Sequence, residues 1–377
     1  MGPRVVVVGS GYAGTGLVQE LDGDPRIDVT WISAADHHLV KHEVHRVIRS
    51  PSLGDGLTIP VSEIISDAID FVHDRVIGVN GTDNTVDVAS GETYPYDILA
   101  LTAGARTAYY GIPGLKEHAH TLANVEDAQT IHRTLVDSST EPFRVVVGGG
   151  GLTGIQVAGE LYELANALDR SIDLTLVEAL DDVLPHGPDS LRKRITDALK
   201  RRNICIETGS PIVETTADSV VLDGEQELPW DLLVWSGGIT GTELDIQGDI
   251  ELARNRVKAD ATLRTTDPHI FAFGDAAVID QPDGIAPPTA QAAWQAAPLA
   301  ATNIRATISG KPLHEWTFEN KGTLISVGDA AFAHDVNGLP IDTFGSLPAA
   351  TLKKAVAARW IADVDSWSRA MRLWKSL

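Results

Sequence analysis

The residues with the clearest chemical meaning are glycines. Gly9, Gly11 and Gly14 stand as G-x-G-x-x-G directly behind Val5-Val6-Val7-Val8 and ahead of a helix-compatible segment, residues 15–21. A buried parallel strand, a tight turn and a helix start produce that order. The first glycine permits the turn, the second lets main chain approach a pyrophosphate, and the third lets the helix pack close to the strand. Free N–H groups and the positive end of the helix dipole then face the phosphates. The pattern recurs: Gly149, Gly151 and Gly154 follow Val145-Val146-Val147 and precede a helix-like run over 156–168.

Each unit continues into a second strand, at whose end an acid commonly binds a ribose of the dinucleotide. In the second unit that strand, residues 172–178, closes on Glu178. A carboxylate there accepts hydrogen bonds from ribose hydroxyls and repels a 2′-phosphate, which favours NADH over NADPH. In the first unit the strand over 27–33 ends on Ser33, with Asp36 three residues on, so either is the ribose candidate. Two dinucleotides in one chain suggest an electron relay between a tightly held flavin and an exchangeable nicotinamide. Buried strands ending in small residues, Thr102-Ala103-Gly104 and Ser236-Gly237-Gly238, close the two units. A third strand delivers Gly274-Asp275 to a helix start, where the aspartate can bond a cofactor's polar chain. It lies far from the first fingerprint, so the first nucleotide domain is expected to be discontinuous with the second inserted into it.

Composition narrows the partners. With 52 Asp and Glu against 30 Lys and Arg the formal charge is -22, which repels nucleic acid and suits a chain working in concentrated salt, a halophilic source. The single cysteine, Cys205, excludes an intrachain disulfide, a C-x-x-C redox pair and cysteine metal clusters; its alternating surroundings place it in the core. The histidine-dense stretch from His37 to Arg46 is read as polar lining of a cleft or a solvated helix in preference to a metal site, so no metal is expected. Residues 50–60, with Pro51, Gly54, Gly56 and Pro60, read as a loop. No apolar run approaches the roughly 18–20 residues that span a bilayer, and no signal peptide precedes the first strand, so a cytoplasmic location is expected.

Taken together the chain resembles the two-dinucleotide-binding flavoproteins, and within them type II NADH dehydrogenases, single-subunit NADH:quinone oxidoreductases. The resemblance covers nearly the whole length. Its most specific part is Pro288-Thr289-Ala290-Gln291-Ala292-Ala293-Trp294-Gln295, similar to that family's A-Q-x-x-x-Q quinone-site motif; on a helix Gln291 and Gln295 share a face. Asn320-Lys321-Gly322-Thr323 resembles a segment near the flavin, which would place Lys321 beside the isoalloxazine or the quinone. The resemblance implies FAD held by Gly9, Gly11, Gly14, Thr102, Gly104, Gly274, Asp275 and Ala290. It implies NADH held by Gly149, Gly151, Gly154, Glu178, Gly237 and Gly238. It implies catalysis around Gln156, Gln291, Gln295 and Lys321: hydride from NADH to the flavin, then two electrons to a membrane quinone without proton pumping. Two departures stand out. Ser33 replaces the ribose acid, and Gln156 stands where many members carry a glutamate implicated in proton handling.

The expected architecture is α/β with two Rossmann-like domains. The FAD domain would span 1–113 and 251–312, the NADH domain 114–250, and a C-terminal domain 313–377. Its tail places Leu352, Val356, Trp360, Val364, Trp367, Met371 and Trp374 three or four apart, with Lys353, Lys354, Arg359, Arg369, Arg372 and Lys375 across from them. Such a basic, tryptophan-rich helix reads as an interfacial membrane anchor or a homodimer contact, with packing on the body as the alternative; an anchor would put the protein on the inner face of the cell membrane. Rival readings of the whole are a soluble NADH-dependent flavin reductase or NADH oxidase, and a non-enzymatic FAD/NAD-binding redox sensor.

Overall fold

Val5 to Val8 are buried on both faces, as a strand must be when helices and sheet cover it from either side. In the computed structural model, which describes residues 2–282 and 284–377, Arg4–Val8 is the middle of five parallel strands. Their order is Ile270–Ala272, Ile98–Leu101, Arg4–Val8, Asp28–Ser33 and Ile69–His73. Val5 pairs with Val29 on one side and Ile98 on the other. The chain therefore leaves the central strand in one direction and later returns on the opposite side. That switch point opens a crevice beyond the strands' carboxyl ends.

This sheet belongs to a compact unit made of Met1–Leu39, Thr58–Arg106 and Thr240–Asn320. Helix Tyr12–Leu21 packs on helix Ala290–Ile308, and small residues set their closeness: a methyl on Gly16 would come within 2.9 Å of the Ala297 Cβ. Ala292, Ala293, Ala296, Ala297, Ala300 and Ala301 are all buried along that second helix.

A second unit comprises Val40–Leu57, Thr107–Ile239 and Lys321–Leu377. Its parallel sheet repeats the plan with four strands, Cys205–Glu207, Ile172–Val177, Phe143–Gly148 and Leu232–Trp235. Helix Leu152–Ala167 packs on the sheet and on the antiparallel strand Thr323–Val327. Helix Leu347–Val364 packs back on the hairpin that precedes it, Thr323–Val327 with Ala330–His334.

Several expectations are corrected. Residues 50–60 are not loop but short helical turns, Pro51–Leu53 and Gly54–Leu57, followed by strand Thr58–Pro60. Cys205 is exposed, because its strand is the sheet's edge. The histidine-dense stretch is solvated only in part: Lys41 is exposed and His37, His42 and Arg46 are half-buried. His38 is buried, its Nδ1 2.9 Å from the Ser10 carbonyl oxygen and 3.1 Å from Thr15 Oγ1, and Glu43 and His45 are buried in the second unit. The tail breaks at Asp365-Ser366 into Leu347–Val364 and Trp367–Leu373, so its stripe divides. Trp360 and Val364 are buried, Trp367 and Met371 are 64% and 63% exposed, and Lys353 points inward. Among the described residues no helix is long and apolar enough to cross a membrane.

Candidate nucleotide-binding sites

The two fingerprints fold into the same object. Gly9 and Gly149 both turn with φ of +102°, a conformation open to glycine and strained for other residues. A methyl on Gly14 would collide with the Gly9 carbonyl oxygen and sit 2.7 Å from Thr102 Oγ1; a methyl on Gly154 would collide with the Gly149 oxygen and sit 2.7 Å from Ser236 Oγ. Thr102 Oγ1 donates to the Val8 carbonyl at 2.6 Å, and Ser236 Oγ donates to the Gly148 carbonyl at 3.1 Å. Gly11 and Gly151 open their helices with extended backbone, and a methyl on either would meet nothing within 4 Å. Each loop thus presents bare main chain and a helix N-terminus to open space, the surroundings a pyrophosphate requires. Ser236 was missed as an equivalent of Thr102. Laying Leu101-Thr102-Ala103-Gly104 over Trp235-Ser236-Gly237-Gly238 reveals it.

Beside each loop lies the residue ending the second strand. Glu178 is buried, its Oε2 accepting the Gly150 N–H at 2.7 Å and its Oε1 the Leu180 N–H at 2.9 Å. A carboxylate offers about four lone-pair positions, so ribose hydroxyls still find acceptors there. Ser33 occupies the matching place. Its hydroxyl is 2.9 Å from Ser10 Oγ and accepts the Ala35 N–H at 3.2 Å. Asp36 is exposed and bonded to His37 Nδ1 at 3.0 Å, which holds its carboxyl below the ordinary range.

In the first unit three further segments meet the fingerprint. Gly274, at φ +70°, is close enough to Ala13 that a methyl would lie 2.9 Å from its Cβ and 3.5 Å from that of Ala293. The Gly274–Ala276 turn is therefore seated between two helix starts. Arg256, buried, donates its Nε to the Asp275 carbonyl at 2.8 Å and its Nη2 to the Ala277 carbonyl, fixing the turn from behind. No sequence signal singled out Arg256. Gly104 has φ +72° and open space around it. Ala290 opens helix Ala290–Ile308, capped by the Thr289 hydroxyl accepting the Ala292 N–H at 3.2 Å, with Gln291 next. The Gln295 amide is used at both ends, on the main chain of one residue. Its Nε2 donates to the Glu319 carbonyl at 2.8 Å, and its Oε1 accepts the Glu319 N–H at 3.2 Å.

In the second unit Gln156 lies one turn into the fingerprint helix, its Oε1 accepting from Ser326 Oγ at 3.5 Å. Behind it is a buried charged cluster that the sequence did not disclose. Lys353 Nζ is 3.0 Å from Glu43 Oε1 and 3.1 Å from His45 Nε2, and Ser326 Oγ is 3.4 Å from the same imidazole nitrogen. Arg46 Nε donates to Glu43 at 2.5 Å, and Arg49 Nε lies 2.9 Å from Glu160 Oε2. Burial alone would raise the Glu43 carboxyl, but Lys353 and Arg46 outweigh it and hold Glu43 well below the carboxylate range. Burial, helped by Lys353, keeps His45 neutral, and burial raises Glu160 despite Arg49. Lys321 is exposed, its carbonyl accepting the Asn337 N–H at 3.3 Å. Gly237 and Gly238 end the strand beside the cradle, Gly238 at φ +140°. Among the described residues no group of three or more His, Cys, Asp or Glu side chains is arranged to hold a metal.

Two cradles of one construction, each at the switch point of a parallel sheet, define a protein with two Rossmann-type dinucleotide-binding folds. The chain belongs to the pyridine nucleotide-disulphide oxidoreductase family, whose model matches residues 3–297. Similar curated proteins are the type II NADH:quinone oxidoreductases of Staphylococcus saprophyticus, 29% identical over 94% of both chains, and Staphylococcus haemolyticus, 28% identical over 98% of both. Among solved structures, NDH2 from Plasmodium falciparum in complex with NADH aligns with a TM-score of 0.87 at 17% identity, covering 100% of this chain and 98% of that one. The sulfide:quinone oxidoreductase of Aquifex aeolicus aligns at 0.83 and 20% identity, covering 96% and 91%. At those identities the structural likeness speaks for the fold.

Proposed function

We propose that this chain is a type II NADH:quinone oxidoreductase. The observation that carries the reading is the pair of matching glycine cradles, one ending its second strand in Ser33 and the other in Glu178. The end-to-end similarity to proteins of that name supports it. FAD is assigned to the first cradle, with Thr102, Gly104, Gly274, Asp275 and Ala290. NADH is assigned to the second, with Glu178, Gly237 and Gly238. A bound flavin would supply the two-electron redox chemistry. The chain's own residues do the rest. Main-chain N–H groups at both helix starts hold the pyrophosphates. Arg256 fixes the turn carrying Asp275. Gln291 is assigned the acceptor's carbonyl oxygen, and Gln295 positions the main chain at Glu319. Lys321 is assigned to the acceptor region. Gln156 does not titrate, so it orients without exchanging a proton.

The family is named for disulphides, yet Cys205 alone supplies no redox pair, so electrons do not leave through a dithiol–disulfide couple within this chain. The tail is assigned to the membrane surface or to a homodimer contact, with Val356, Trp367 and Met371 among its exposed apolar residues. The test is spectroscopic. NADH should bleach the bound flavin, NADPH should do so far more slowly, and a quinone analogue should restore the colour. Reoxidation by oxygen but not by quinones would transfer the protein to the oxidase reading, and no bleaching would leave the redox sensor.

A further inference from the structure

The second cradle has a strained aromatic neighbour. Tyr110 sits in the left-handed region at φ +52°, which disfavours a large side chain, and it remains 68% exposed. Its neighbour Tyr109 packs against the unit's apolar cluster, so the segment is anchored without Tyr110. The Tyr110 ring lies instead over the strand end at Gly237-Gly238. Its hydroxyl donates to the Gly237 carbonyl at 3.2 Å, and any methyl on Gly238 would collide with it. That strand end abuts the fingerprint, since a methyl on Gly149 would lie 2.7 Å from the Ser236 carbonyl carbon. A second strained residue, Leu184 at φ +49°, touches the loop from elsewhere, its N–H donating to the Gly150 carbonyl at 2.7 Å. Strain of this kind collects at ligand clamps.

The cradle's geometry says which part of a ligand each side meets. Glu178 marks the adenosine side, at the end of strand Ile172–Val177. The pyrophosphate belongs at Gly151. The other half of a dinucleotide must then run across the switch point, over the end of strand Leu232–Trp235, where Tyr110 lies. We propose that Tyr110 is a binding residue for the nicotinamide half of the dinucleotide in the second cradle, its ring forming the wall against which that half lies. This rests on the assignment of NADH to that cradle.

Calorimetry on the oxidised holoenzyme tests it, with NAD⁺ and ADP as probes. Tyr110→Ala should weaken NAD⁺ about tenfold while ADP, which lacks the nicotinamide half, stays within about twofold. Tyr110→Phe keeps the ring and should stay within about threefold for both. Tyr110→Gly, which suits the left-handed backbone, should reproduce the alanine result and shows that misfolding is not the cause. Retained flavin absorbance reports the fold in every variant. NAD⁺ affinity unchanged in Tyr110→Ala, or NAD⁺ and ADP weakened alike, would overturn the role of Tyr110 and leave the NADH assignment standing. A wild-type protein binding neither probe would overturn both.

Discussion

A methyl group separates two kinds of glycine in each cradle. On Gly14 or Gly154 it would strike main chain, so Gly14→Ala and Gly154→Ala should each cost about 2 kcal/mol or more in thermal or denaturant unfolding. On Gly11 or Gly151 it would enter open space with backbone that alanine adopts freely. Gly11→Ala should therefore melt within about 0.5 kcal/mol of wild type yet release FAD, and Gly151→Ala should bind NADH at least about tenfold more weakly. Equal melting losses at all four positions would refute a phosphate role for the middle glycines. Position 156 offers a second test. Gln156→Glu would place a titrating group within reach of the Ser326 hydroxyl and near the buried charges. It should leave flavin content intact and give the NADH-linked rate a new pH dependence, and an unaltered pH–rate profile would remove position 156 from proton handling.

The elements hold a less visible device. Lys353, 5% exposed on helix Leu347–Val364, is buried against Glu43, 1% exposed, on the segment after Val40. Lys353→Met leaves the buried Glu43 without the lysine opposite it, only Arg46 still donating to it at hydrogen-bond distance among the described Lys and Arg side chains, and should cost about 3 kcal/mol, whereas Lys353→Met with Glu43→Gln should recover part of that loss. The pair also sets an acid limit. The folded Glu43 stays charged while the unfolded one takes up a proton as pH falls past its ordinary value of 4.5. Its stabilising effect is thus complete above that pH and lost progressively below it, and Glu43→Gln should flatten the acid limb of the melting curve. Sequence periodicity could not disclose this. Spacing identified the strands, both cradles and a helical tail, because those follow from local pattern. It put Lys353 on a solvated face and Cys205 in the core, because the first depends on a partner far along the chain and the second on which strand forms the sheet's edge. Arg256 escaped for a related reason: it serves main-chain carbonyls, which leave no mark in side-chain patterns, whereas Ser236 shows only when the two strand ends are laid over each other.

At the scale of the whole molecule, charge and tail make separate predictions. A net charge of -22 means self-repulsion that salt relieves, so the melting temperature should climb from dilute buffer to molar KCl; a flat response would end the halophilic reading. Deleting the tail would confuse two effects, since Trp360, Ile361 and Val364 are buried and Lys353 leaves with them. Trp367→Ser with Met371→Ser alters only exposed side chains. It should reduce sedimentation with anionic vesicles about tenfold with flavin content unchanged, and undiminished sedimentation would leave the homodimer contact or packing on the body as the tail's role.

The matching loops carry one more implication. Because they grip with peptide groups, neither can tell one adenine nucleotide from another. Exchanging Gly11-Tyr12-Ala13 for Gly151-Leu152-Thr153 would transplant scaffolding without preference, and the choice of guest would remain with the rims, the Ser10–Ser33 hydroxyl pair at one and the Glu178 carboxylate at the other.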